Sequence, residues 1–245
     1  MSTKNIILPP LTLPEFLCHV ADTQPDSGVT ILIICSTREA FLGTLSQALT
    51  EQQPEEAKEI EALRRLTVPT LQNLLTAKHI KVVFCATVQH LLAYLTGLQL
   101  EEGRGVFRPE STGANARIIV VNPLTLHIHT PLYSAQGLSR TFAAAAEAAS
   151  REGVAKLLVV ECIRMHGDDE MDQMEGLESL ATVEEGTEQS SFTRDNHDPW
   201  EEEVPILNVS ARRFGSGGSE RLWAGRTVKV KRVAARWFRF QQKLA

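Results

Sequence analysis

The sequence predicts an α/β fold: helices flanking a mostly parallel sheet, with antiparallel strands at the C-terminus. Three observations carry this. Residues 30–34, 79–85, 117–121 and 155–161 each contain a short unbroken apolar run (ILII, VVFC, IIVV and LLVV), as strands buried on both faces do. Stretches with helical spacing or high alanine content separate them. The last segment changes pattern, alternating valine with lysine in Val228-Lys229-Val230-Lys231.

The elements follow in order. Thr30–Ile34 is a buried strand, and Ser36–Thr50 a helix with Phe41, Leu42, Leu45 and Leu49 on one face. Glu51–Glu61 is a charged loop containing Pro54, and Pro69 breaks or starts an element within Leu63–Leu75. His79–Cys85 is the second strand, and Val88–Leu100 a helix with Leu91, Leu92, Leu95 and Leu98 inward. A loop rich in Gly, Pro and Ser over Glu101–Ala116 leads to the third strand, Arg117–Val121. Ser134–Glu152 is a helix whose small side chains permit close approach to a sheet, and Ala155–Glu161 is the fourth strand. Strand and helix alternating in this way imply parallel strands joined by crossovers. Val204–Phe214, Leu222–Val233 and Arg236–Phe240 then read as strands, forming an antiparallel hairpin around a GSGG loop.

At 245 residues the chain suits a single domain, 1–245. No apolar run approaches the ~20 residues of a membrane span. The N-terminus is a poor secretory signal, so an intracellular protein is expected. The net charge of −5 hides a segregation. Asp168–Glu203 holds 14 acids against one base, Arg194, whereas Asn208–Ala245 holds 10 bases against one acid, Glu220. Few apolar residues and high charge make 166–203 an acidic insertion expected to be disordered. Cys18, Cys35, Cys85 and Cys162 form no CxxC pair or zinc spacing and read as small buried hydrophobes.

The motifs of catalysis are missing. There is no GxxxxGK[ST], no GxGxxG after a strand and no GxSxG elbow. Gly215–Ser219 lies between two expected strands and opens no helix, so it lacks the N-terminus that binds anions. His127 and His129 would share a strand face, but no carboxylate or cysteine is near in sequence to complete a metal site. Glu161 is one acid at the sheet's carboxyl edge and by itself specifies no reaction. No catalytic residue, metal ligand or cofactor is therefore assigned. The basic C-terminal segment interleaves its cations with Trp223, Trp237, Phe238 and Phe240, a pattern that suits phosphate neutralisation and base stacking. It equally suits a solvated strand face over core aromatics.

Taken in order, ILIICSTREAFLGTL, IKVVFCATVQHLLAYLTGL, RIIVVNPLTLHIHTPLY and GLSRTFAAAAEAASREGVAKLLVVE, with VPILNVSARRF and RTVKVKRVAARWFRF, resemble the RecA/RadA recombinase core. The resemblance covers residues 28–163 and 200–241 and implies a RecA-like fold. RIIVVNPLTL is similar to the Walker B strand, with Asn122 at the position of the acid that holds the magnesium shell. The Walker A loop has no counterpart. The chain thus resembles divergent, non-catalytic recombinase paralogues of fungi, such as those of the Shu complex.

That resemblance implies a nuclear protein of homologous recombination and DNA repair, partnered by another RecA-like paralogue in a hetero-oligomer. It would assist recombinase assembly on single-stranded DNA. The family's second DNA-contacting loop would fall at Arg164–Pro199, which is acidic here and repels phosphates. Either DNA contact is then expected in the basic tail, at Arg212, Arg213, Lys229, Lys231, Arg232, Arg236 and Arg239, or that loop binds a basic protein. Two other readings stand beside it. One is a structural RecA-like subunit of an Elongator-type assembly for transfer-RNA modification, in the cytoplasm. The other is an α/β enzyme using Glu161 and a thiol such as Cys162.

Overall fold

The computed structural model describes residues 3–25, 28–50, 68, 70–99, 116–163, 198–207 and 226–243. The elements are β1 (Lys4–Ile7), β2 (Leu11–Thr12), α1 (Leu13–Asp22), β3 (Thr30–Ile34), α2 (Arg38–Thr50), α3 (Leu71–Ala77), β4 (Ile80–Phe84) and α4 (Val88–Gly97). They continue with β5 (Arg117–Val121), α5 (Pro123–Ile128), α6 (Ala135–Arg151), β6 (Lys156–Val160) and β7 (Cys162–Ile163). The last are a 3-10 turn (Pro199–Glu201), β8 (Glu203–Pro205), β9 (Thr227–Lys229), α7 (Val230–Ala234) and β10 (Arg239–Phe240).

Six strands form one parallel sheet in the order β10-β1-β6-β5-β3-β4, and β8 and β9 form a separate antiparallel pair. The α/β class expected from the sequence is the observed one. The unbroken apolar runs have a direct cause. Ile31, Ile33, Ile118, Val120, Leu157 and Val159 enter one core layer, packed by α4, α6 and α7. The alternate residues Leu32, Ile34, Ile119, Val121, Leu158 and Val160 enter the other, packed by α1. Burial on both faces leaves no position for a polar side chain in the middle of these strands.

Two units precede the strand at residue 30. β1 lies between β6 and β10, with Ile6 opposite Leu158 on one side and Arg239 on the other. α1 opens on a capping box, in which the Glu15 N–H donates to Thr12 Oγ1 and Glu15 Oε2 accepts from the Thr12 N–H. The Thr-x-x-Glu spacing ahead of Phe16, Leu17 and Val20 is the sequence signal of this helix.

The C-terminal segment also differs from expectation. Val228-Lys229-Val230-Lys231 is not one strand: α7 starts at Val230 and buries Val230, Val233 and Ala234. That spacing of i, i+3 and i+4 is helical, and it overrides the local alternation. β10 joins the parallel sheet beside β1 rather than an antiparallel hairpin. The acidic insertion expected over 166–203 lies outside the described residues from 166 to 197. Residues 198–203 of that stretch are structured, and Trp200 is a core residue.

Two glycines shape α6. Gly153, with φ at +64°, takes the left-handed C′ position of a Schellman motif: Val154 N–H reaches Ala149 O and Gly153 N–H reaches Ser150 O. Gly137 serves close approach instead, because a Cβ there would lie 2.0 Å from the Leu132 carbonyl oxygen. Gly137→Ala is expected to lower unfolding free energy by about 2 kcal/mol or more, measured by urea denaturation, since a backbone atom must move to admit the methyl group.

Candidate functional site

The carboxyl edge of the parallel sheet is where a ligand would bind in an open α/β fold. Cys85, Cys35, Asn122 and Leu8 each follow a strand there. Their N–H groups extend the ladder by one step, to Ile34 O, Val121 O, Val160 O and Val159 O. Glu161 follows β6 in the same row.

Asn122 adopts the left-handed region at φ 56° and ψ 44°, the one non-glycine to do so among the described residues. Asparagine tolerates this conformation better than most residues. Its side-chain Oδ1 accepts the Cys162 N–H at 2.7 Å. The amide thus turns the chain from β5 into α5 and pins the start of β7. The Asn-Pro dipeptide, a turn signal in its own right, explains the residue without reference to magnesium.

Glu161 is buried at 3% exposure. One carboxylate oxygen accepts the Leu124 N–H and the other accepts the Thr125 hydroxyl at 3.1 Å. It caps the first turn of α5, where negative charge is favoured. The nearby thiols are driven toward the protonated form. Burial, then the Glu161 charge, pushes Cys162 up to about 12, and the same two causes, followed by Cys85, raise Cys35 well above its ordinary value. A thiol nucleophile needs the thiolate, so this arrangement works against the Glu161–Cys162 chemistry considered above.

The connector from β1 to α1 lies beside β7 at this edge. Leu8–Thr12 contains Pro9 and Pro10 and no glycine. β2 within it pairs with β7, Leu11 opposite Cys162 and Thr12 opposite Ile163. Pro14 supplies no N–H, and the capping box engages Thr12 and Glu15. A phosphate-binding turn requires N–H groups directed at the anion. Here the backbone is committed to a ladder and a carboxylate cap.

His127 and His129 belong to a helix and its C-cap, not a strand. They diverge: His127 is fully buried and His129 exposed. His127 Nδ1–H donates to Pro123 O at 2.7 Å, and Nε2 accepts from the Thr141 hydroxyl at 3.1 Å. Among the described residues, no group of three His, Cys, Asp or Glu side chains could hold a metal ion. Burial holds the His127 pKa below its usual 6.5. The unfolded chain therefore takes the proton first, and the stability from neutral His127 is lost as pH falls below 6.5 toward the native value. Thermal unfolding temperature is expected to drop between about pH 7.5 and about pH 5.5, less steeply in His127→Gln. His19, also lowered chiefly by burial, acts in the same direction in both proteins.

The basic C-terminal face is only partly assembled as expected. Arg212 and Arg213 lie outside the described residues. Lys229 and Lys231 both grip Glu201, at 2.9 and 2.6 Å, and these hydrogen bonds pull the Glu201 carboxyl down to about 2. Lys231 also lies 5.6 Å from the Phe240 ring centre. Arg232, Arg236 and Arg239 are exposed. Phe238 is buried, Phe240 packs edge-on against Trp200, and Trp237 is the ring left 36% exposed. The segment thus combines core aromatics with three exposed arginines near one accessible indole.

No helix among the described residues is long and apolar enough to cross a membrane. No family model matches this sequence, and no curated protein resembles it significantly.

Proposed function

We propose that this protein is a non-catalytic, RecA-like accessory subunit that assists recombinase assembly on single-stranded DNA in homologous recombination. It works beside another RecA-like paralogue in a nuclear hetero-oligomer. The observation that carries the non-catalytic part is the occupied carboxyl edge. Asn122 Oδ1, both Glu161 carboxylate oxygens, Thr12 Oγ1 and Glu15 Oε2 are bonded to the chain itself. DNA contact falls to Arg232, Arg236 and Arg239 with Trp237, because Lys229 and Lys231 already share Glu201.

Fluorescence anisotropy with single-stranded DNA tests this, on the chain alone and with its co-purified partners. Binding is expected to weaken with salt, and to fall roughly 10-fold or more in Arg232→Glu/Arg236→Glu/Arg239→Glu. Absence of salt-dependent binding in both states would remove the DNA part. Magnesium-dependent ATP turnover abolished by Asn122→Ala would overturn the non-catalytic part.

The Glu201 pairing favours a second reading, a structural RecA-like subunit of an Elongator-type assembly that makes no DNA contact of its own. Mass spectrometry of affinity-purified complexes separates the two by their partners: recombination proteins or Elongator subunits.

A further inference from the structure

Arg117, Lys156 and Lys4 are the first residues of β5, β6 and β1. The register sets them in one row, Arg117 against Lys156 and Lys156 against Lys4. They stand two residues before Ile119, Leu158 and Ile6, so all three point to the α1 side of the sheet. Arg239, on the outermost strand β10, lies opposite Ile6 and joins the same side.

The four cations differ in what they do. Arg117 is buried and spends its guanidinium on the end of α1 and on Thr30 and Gln24. Lys4, Lys156 and Arg239 are exposed, and none makes a side-chain hydrogen bond or ion pair among the described residues. Like charges directly opposite each other on neighbouring strands destabilise a sheet. The six strands contain no aspartate or glutamate to offset the Lys4–Lys156 pair. Asp22, at the end of α1, is an acid that reaches this corner. Its charge opposes the lowering of the His19 pKa by burial, by Arg117 and by Lys156.

The layout selects the kind of anion. Adjacent strands lie about 5 Å apart, so Lys156, Lys4 and Arg239 are spread over about 10 Å of sheet rather than gathered on one strand. The apolar side chain among them is Ile6, which is half-buried. A protein partner draws its affinity from buried anchors. A nucleic-acid backbone needs little beyond cations that neutralise successive phosphates. The Trp237 indole leans the other way, its Nε1–H toward Ser139 of α6 at 3.4 Å.

We infer that single-stranded nucleic acid lays its phosphates along the α1 side of β6, β1 and β10, against Lys156, Lys4 and Arg239. The inference rests on the DNA contact proposed above and extends it. The strand passes round the β10 edge, from Trp237 to a pair of lysines which that reading does not use.

A salt titration of oligothymidine binding tests it, by fluorescence anisotropy on the full chain alone and with its co-purified partners. Each phosphate contact with a single strand adds roughly 0.7 to the slope of log affinity against log salt. Lys4→Gln/Lys156→Gln is therefore expected to lower that slope by about 1.4 and to weaken binding roughly 10-fold at low salt. Its melting temperature should equal or exceed that of the unmodified chain, because a repulsion is relieved. Lys4→Arg/Lys156→Arg should keep the slope. Should the glutamine pair unfold, the single variants are read instead, each at about half the change in slope. An unchanged slope or tighter binding in the glutamine variant, while Arg232→Glu/Arg236→Glu/Arg239→Glu still loses binding, would overturn this inference and leave the proposed DNA contact standing. Displacement of the oligonucleotide by inorganic phosphate at constant ionic strength would also overturn it, since the site would then take a free anion. No salt-dependent binding by the unmodified chain in either state would overturn both.

Discussion

Trp200→Ala is expected to cost about 3–5 kcal/mol of unfolding free energy, the range for removing a large buried aromatic. Trp200 is 1% exposed and packs on Phe142 at 6.3 Å and on Phe240 at 5.6 Å between ring centres, with Phe142 in turn 5.5 Å from Phe238. It therefore ties the short turn at Pro199–Glu201 to α6 and to β10. Losing it leaves a cavity that its two aromatic neighbours, on α6 and β10, cannot close without moving those elements. Urea denaturation followed by tryptophan-independent far-UV signal measures the change. A cost under ~1 kcal/mol would show that this corner of the core is not packed as described. Because Glu201 of this turn holds Lys229 and Lys231, and Glu203 of the adjoining β8 holds Thr227, the variant should also loosen the β8–β9 pair.

Arg117→Met is expected to cost about 3 kcal/mol, because it strips donors from two buried and three part-buried acceptors at once. The guanidinium is 4% exposed at the start of β5. It donates to Thr30 Oγ1 at 2.5 Å, to the carbonyl and hydroxyl of Thr23 at 3.0 and 2.8 Å, to Val20 O at 2.8 Å and to Gln24 Oε1 at 3.0 Å. Two of these are carbonyls at the C-terminal end of α1, where positive charge is favoured. Burial lowers its pKa to about 10, which still leaves it charged at neutral pH. Arg117→Lys should recover only part of the loss, since an ammonium has three donors and no planar fork. Hydrogen exchange in α1 gives a second readout: both variants should speed exchange there more than in α6, and uniform exchange rates would argue against the pinning role.

Much of the fold was legible because buried strands and amphipathic helices leave periodic traces. β3, β5 and β6 are continuous apolar runs for the simple reason that both of their faces are covered. α4 and α6 show their inward positions in Leu91, Leu95, Phe142, Ala145 and Ala149. The face of α2 was less informative. Leu42, read as inward from its spacing, is 47% exposed, and the buried residue of α2 is Ala48. The N-terminal unit was harder to see, although its capping box is plain in the sequence. A four-residue strand followed by two prolines has no period long enough to assert itself, and only the pairing of β1 with both β6 and β10 makes it a strand.

The candidate site divides in the same way. By itself, the sequence determined which phosphate and nucleophile motifs are missing, that charge is segregated, and that an asparagine ends the third expected strand, all of which are properties of residue identity and spacing. Tertiary structure alone decided what those residues do. Asn122 meets Cys162 and Glu161 meets Leu124 across 40 and 37 residues of chain, and Glu201 reaches Lys229 and Lys231 across 28 and 30. Partners so distant leave no mark on local periodicity. Whether a polar side chain is free to act or already bound is set by which strands the sheet places side by side.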